Sequence, residues 1–248
     1  MILKKKFLKL IYSFFALLFI VNSRVEAVQS IITIPSSSVL PQGGVIIKET
    51  TRVNPYGDKN VRITPNVTFG TGHGMEVSVG VPVSVKFAGD VTETKTDLSA
   101  KKVWYLGSGT RVSVGGTISP SFNMPVCPDT FVFGHVTQRF KKTKTGFTVG
   151  GYATGRRHFL NSGGVIIAVD QVVVSNKLNV VAEWASGENN RGRFGAGLKY
   201  RPSPELSVSA AVLIPNRECD NIGFQLSLSK YISPEDNVIL RRFKHEEL

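Results

Sequence analysis

Met75-Glu76-Val77-Ser78-Val79-Gly80-Val81-Pro82-Val83-Ser84-Val85-Lys86-Phe87 decides the fold class. Every odd position is apolar, while the even positions hold Glu, Ser, Gly, Pro and Lys. Successive side chains of a strand point to opposite faces, so this stretch has one wholly apolar face and one face of mostly small polar groups. The same period of two, never the helical period, recurs on either side. Val61, Ile63, Val67 and Phe69 alternate with Arg62, Thr64, Asn66 and Thr68. Phe194, Ala196, Leu198 and Tyr200 oppose Arg193, Gly195, Gly197, Lys199 and Arg201, and Ile222, Phe224, Leu226 and Leu228 oppose Gly223, Gln225, Ser227 and Ser229.

Twelve such runs are found, at approximately 42–53, 59–69, 74–88, 94–106, 110–121, 130–140, 146–155, 164–175, 177–186, 192–201, 204–214 and 221–231. Alternation is least regular in the first, sixth and eighth. In Gly164 to Val174 both faces are apolar, which leaves the register open. A soluble β-sandwich also alternates. Two features favour an all-β, transmembrane, antiparallel up-and-down β-barrel of about 12 strands. Most apolar faces run the strand's full length without a charge, as a bilayer crossing of about 9–11 tilted residues requires. The even count returns both termini to one side, and closure leaves no open edge in lipid. Lys102 is charged on an outer face, but near a strand end where it can snorkel.

The remainder of the chain divides around this barrel at 42–231. Residues 1–27 read as a signal peptide. Lys4, Lys5, Lys6 and Lys9 precede a twelve-residue apolar run from Leu10 to Val21, and Val25-Glu26-Ala27 resembles a cleavage site. That run is shorter than the roughly 20 residues of a spanning helix. Cleavage after Ala27 takes away four Lys, Arg24 and Glu26, lowering the net charge from +12 to +8. Residues 28–41 are expected as a periplasmic N-terminal segment and 232–248 as a charged C-terminal tail. The expected location is the bacterial outer membrane, with outer-membrane lipid as the surrounding partner.

Composition agrees with a folded envelope protein. A 42% hydrophobic share and 19% charged residues in 248 exclude disorder, and two cysteines exclude a disulfide scaffold. With the N-terminus periplasmic, turns such as Gly107-Ser108-Gly109 face the periplasm and the longer loops face outward. Cys127 and Cys219 then lie in two outward loops, where export through an oxidising compartment favours a disulfide and their separation across the mouth opposes it.

Asn221 to Leu228 resembles the last-strand signal read by the outer-membrane assembly machinery, although Tyr231 is followed by a charged tail in place of a terminal aromatic residue. Val39-Leu40-Pro41-Gln42-Gly43-Gly44 and Gly74 to Val83 resemble the opening strands of the outer-membrane family named for the meta-pathway of phenol degradation. Ala182 to Asn190, and Tyr200-Arg201-Pro202-Ser203 through Ile214-Pro215-Asn216, resemble its closing strands. That resemblance implies outer-membrane transport with no defined substrate. Gly72-His73-Gly74 departs from the family by replacing its usual acidic turn.

Chemistry-bearing motifs are sparse. His73, His158 and His245 sit in a turn, a loop and the tail. His135 shares a strand face with Thr137 and Arg139, and with serines on other strands it neither builds nor excludes the nucleophile–base pair of a barrel hydrolase acting on envelope lipid or peptide. No catalytic residue, metal site or cofactor is assigned. The basic residues alternate along strands without a recognition helix, which argues against nucleic acid. The lumen-facing set is Arg62, Glu76, Lys86, Lys101, Arg111, Arg139, Glu183, Arg193, Lys199 and Arg201. Eight bases against two acids predict a wall that favours anions, because low-dielectric walls focus the field of charged rings. The expected function is a channel or transporter for small polar or anionic solutes. The rivals are that hydrolase and a non-conducting structural or surface-interaction barrel, its interior filled by mutually neutralising charges.

Overall fold

A computed structural model describes residues 30–56, 59–121, 128–155, 162–175, 177–217 and 221–235. Its strands are β1 (Val45–Asn54), β2 (Asn60–Gly72), β3 (Met75–Gly80), β4 (Val83–Lys86), β5 (Val91–Thr94), β6 (Asp97–Tyr105), β7 (Thr110–Ser119), β8 (Asp129–Phe140), β9 (Thr145–Gly155), β10 (Ser162–Val174), β11 (Leu178–Ala185), β12 (Arg193–Tyr200), β13 (Leu206–Pro215) and β14 (Gly223–Ile232). All pairings are antiparallel, and β1 pairs with both β2 and β14, so the sheet closes.

The fourteen segments make twelve crossings. β3 and β4 are one crossing and β5 and β6 another, each interrupted for two residues. The register is the same on either side of the gap: Gly80 faces Asp97, and Val83 faces Thr94. Pro82 is the cause. Proline has no N–H to give the ladder, so opposite Lys95 only one bond remains, from Lys95 N to Pro82 O at 3.1 Å.

Outward positions carry the apolar band of a bilayer-spanning barrel: Val79, Leu98, Val114, Val132, Val149, Leu198 and Leu226 are all exposed. Aromatic residues collect at both ends of this band. Trp104, Phe140, Phe147 and Tyr200 lie toward the tight-turn end, and Phe87, Trp184 and Phe194 toward the other. Lys102 reaches back from its outer position to the carbonyl of His73 in the adjoining turn, with its ammonium 5.9 Å from the Trp104 ring. The seam between β1 and β14 is the polar exception, with Glu49 on β1 and Lys230 on β14 at outward positions by alternation.

One expectation is corrected. The described part of the segment expected in the periplasm, residues 30–41, lies inside the barrel. Ile34 is buried with Phe131, Phe133, Tyr152, Ile166, Ala168 and Ala185. Ile32 packs with Val181, Ala211 and Leu213, and Leu40 with Ile46 and Tyr231. Tyr231 therefore faces the lumen. The irregular runs are explained at the same time: β1, β8 and β10 have apolar inner residues because those residues meet this segment. Residues 1–27, the tail from 236 onward, His158, His245, Cys127 and Cys219 lie outside the described residues.

Candidate functional site

The inner segment enters from the tight-turn end. Gly43 N donates to Gly70 O at 2.8 Å, and Gly70 N donates to Gly44 O at 2.9 Å. Gly70 has to lack a side chain, since a Cβ there would stand 2.0 Å from Pro41 O and 2.8 Å from Leu40 Cβ. Leu40 N donates to Glu76 at 3.1 Å, and the other Glu76 oxygen holds Lys101 at 2.9 Å. Lys101 also donates to the carbonyls of Ser36 at 2.9 Å and Ser38 at 2.6 Å. Ser37 donates to Thr137 at 2.7 Å, accepts from Ser113 at 3.0 Å and lies 3.3 Å from His135 Nδ1.

At its far end the segment turns back on itself, with Ile31 N donating to Ile34 O at 2.9 Å. Glu183 clasps this tip. Its carboxylate accepts from Ile32 N at 2.9 Å, Thr33 N at 2.6 Å, Ile34 N at 3.2 Å and the Thr33 hydroxyl. Lys199 donates to Ser30 O at 3.1 Å, and Gln225 to Ile32 O at 3.2 Å. Residues 30–41 carry no charge, so they enter without ionic cost, but their main chain needs partners wherever water is excluded. The charged wall supplies them as charge-assisted hydrogen bonds.

The segment separates two cavities. The larger, about 840 Å3, opens toward the wider loops and is bordered by Ser30 and by Ile32 to Pro35 of the segment. One side of its wall is basic. Arg52 and Arg62 stand opposite each other across β1 and β2, and Arg193 and Arg217 come from β12 and the loop after β13. Arg52 Nη2 donates to Gln225 at 3.0 Å, and the Arg191 guanidinium lies 4.4 Å above the Phe131 ring. Glu93, Asp97 and Asp129 line the side built by β5, β6 and β8. Lys95 holds both Glu93 and Asp129 at 2.6 Å. The smaller cavity, about 150 Å3, lies toward the tight turns and is bordered by Ile31 and Ser36 to Ser38. Arg139 is paired there with Asp170 at 3.1 Å.

The expected lumen residues distribute across this arrangement. Arg62, Glu76, Lys101 and Arg193 line the large cavity, and Arg111, Arg139, Lys199 and Arg201 the small one. Glu183 is buried beneath the segment, and Lys86 is exposed at the end of β4, where it borders neither cavity. Arg52, Lys48 and Lys95 were missed. The first two escape because Glu49 puts charge on both faces of β1; Lys95 is in phase with Lys101, and the alternation offered a signal for it. His135 is buried and stacked on Phe133 at 5.5 Å, its Nε2 without a partner among the described residues. Ser37, the hydroxyl within hydrogen-bond distance of His135 among the described residues, donates to Thr137. No group of three His, Cys, Asp or Glu gathers among the described residues.

No family model matches the chain, and no curated protein matches it. Similar solved structures include porins. The KdgM porin aligns at 9% identity with TM-score 0.58, over 75% of this chain and 98% of that one. The NanC porin aligns at 10% identity with TM-score 0.52, over 75% and 98%. A structure of the KdgM porin in complex with disordered oligogalacturonate aligns at 9% identity with TM-score 0.51, over 75% and 98%. At such identity the likeness is one of fold: the chain has the twelve-stranded barrel that these porins have.

Proposed function

We propose that the chain is a bacterial outer-membrane barrel admitting small polar and anionic solutes through a basic mouth, with residues 30–41 closing its passage. The arginine bank carries this reading. Arg52, Arg62 and Arg193 face one cavity with Arg217 beside them, whereas two of the acids on the other side share Lys95. Guanidinium groups are fixed forks suited to carboxylate, so an anion entering here exchanges water for charge-assisted hydrogen bonds. The fold likeness to a porin solved with oligogalacturonate, a polyanion, is consistent with that chemistry.

Export by residues 1–27 with cleavage after Ala27, recognition of β14 by the assembly machinery, and membership of the meta-pathway family belong to the same reading. They rest on sequence motifs. The test is the reversal potential of the refolded full-length protein in a planar bilayer under a salt gradient. Anion selectivity, moved toward cations by Arg62→Glu with Arg193→Glu, is expected; cation selectivity in the parent protein overturns the reading. The filled lumen favours a second reading, a barrel that conducts nothing, and absence of any current in that bilayer is its signature.

A further inference from the structure

We infer that the inner wall of the barrel is a binding site for a peptide with a tight turn at its far end, occupied here by residues 30–41 of the same chain, and that this occupancy is exchangeable. The contacts are the reason. Glu183, Glu76, Lys101, Lys199, Arg111 and Gln225 all bind N–H or C=O groups of the segment's main chain. Binding through the main chain is how clefts hold peptides of varied sequence, with pockets for a few side chains adding selectivity. The pockets are present. Ile32, Ile34 and Leu40 each enter a separate apolar site on the wall, and Ser37 enters a polar one between Ser113 and Thr137. The ligand class follows: an uncharged peptide with aliphatic side chains at those three positions, the first two in a turn.

Exchange is feasible because the grips are charged groups in a lumen flanked by two cavities. When the segment leaves, water replaces main-chain partners on Glu183 and Lys101, and such a swap of hydrogen bonds is close to even. A core of apolar residues alone offers no such replacement. The segment is continuous with β1 only through Gln42, Gly43 and Gly44, so withdrawing it breaks no pairing within the named strands.

The inference concerns the wall and its peptide, and its test does not depend on which solute passes. Ser37 is 5% exposed, so a cysteine placed there reacts with a water-soluble maleimide only when the segment leaves. The experiment uses full-length refolded protein carrying Ser37→Cys with Cys127→Ser and Cys219→Ser, and follows the labelling rate. Slow labelling is expected, accelerated about tenfold or more by Glu183→Gln, whose amide keeps one acceptor and loses the charge. A synthetic peptide of residues 30–41 is expected to raise the rate with concentration by competing for the wall. The same peptide with Ile32→Asp and Ile34→Asp is expected to leave it unchanged. If Glu183→Gln does not refold, Thr33→Val removes one clasp contact while leaving the wall intact. A rate indifferent to the peptide and to both substitutions, or no labelling before denaturation, overturns the inference. Accelerated labelling in a protein that carries no current leaves the peptide site standing and removes the solute reading instead.

Discussion

Glu76 on β3 and Lys101 on β6 face each other directly across the sheet, and their side chains meet at 2.9 Å with less than a tenth of either exposed. This pair joins wall to segment, because Glu76 also accepts from Leu40 N and Lys101 also donates to Ser36 and Ser38. Removing one partner strands a buried charge. Glu76→Gln or Lys101→Met alone is expected to cost about 3–5 kcal/mol in urea unfolding from lipid, with the double substitution costing less than the two singles together. Additive costs would show that the two groups do not act as a pair.

The lipid face is testable by register. Val79 is 46% exposed on the outside, whereas Ser78 borders the large cavity. Val79→Arg is expected to cost about 2–4 kcal/mol near the bilayer midplane, and Ser78→Arg much less. Equal costs at the two sites would reject the assignment of faces.

Lys95 bridges Glu93 and Asp129 at the mouth. Lys95→Met removes one positive charge from between these carboxylates and is expected to shift the reversal potential toward cations, lowering the anion-to-cation permeability ratio by about twofold or more. An unchanged potential would mean that ions pass elsewhere.

Ile34 of the segment and Ile166 of β10 belong to one buried apolar cluster. Ile34→Ala and Ile166→Ala are each expected to cost about 2–5 kcal/mol. Their double mutant is expected to cost less than the sum, because both empty the same volume. Thermal or urea unfolding in detergent reads both values, and simple additivity would place the two residues apart.

The crossings were legible in the sequence almost to their ends. β7, β12 and β14 fall within two residues of the alternating runs, since a half-apolar strand between lipid and lumen admits only one facing. The interruptions at Pro82 and Lys95 were less so, because alternation continues through them and only the pairing partner shows which bond is missing. Lumen residues were legible where the opposite face is cleanly apolar, as for Arg62, Lys199 and Arg193. They were hidden on β1, where Glu49 sits among Lys48 and Arg52.

The sequence by itself determined the strand count, the lipid face and the basic bias of the interior, all of which follow from residues two apart on one strand. The place of residues 30–41 was decided only by tertiary structure. A run of Ser, Thr, Pro and aliphatic residues has no periodicity to announce a partner, and its partners lie on β3, β6, β7, β11, β12 and β14. Closing the sheet turns Glu183, Lys101 and Lys199 from widely separated strands toward one axis. An uncharged main chain is what satisfies them there.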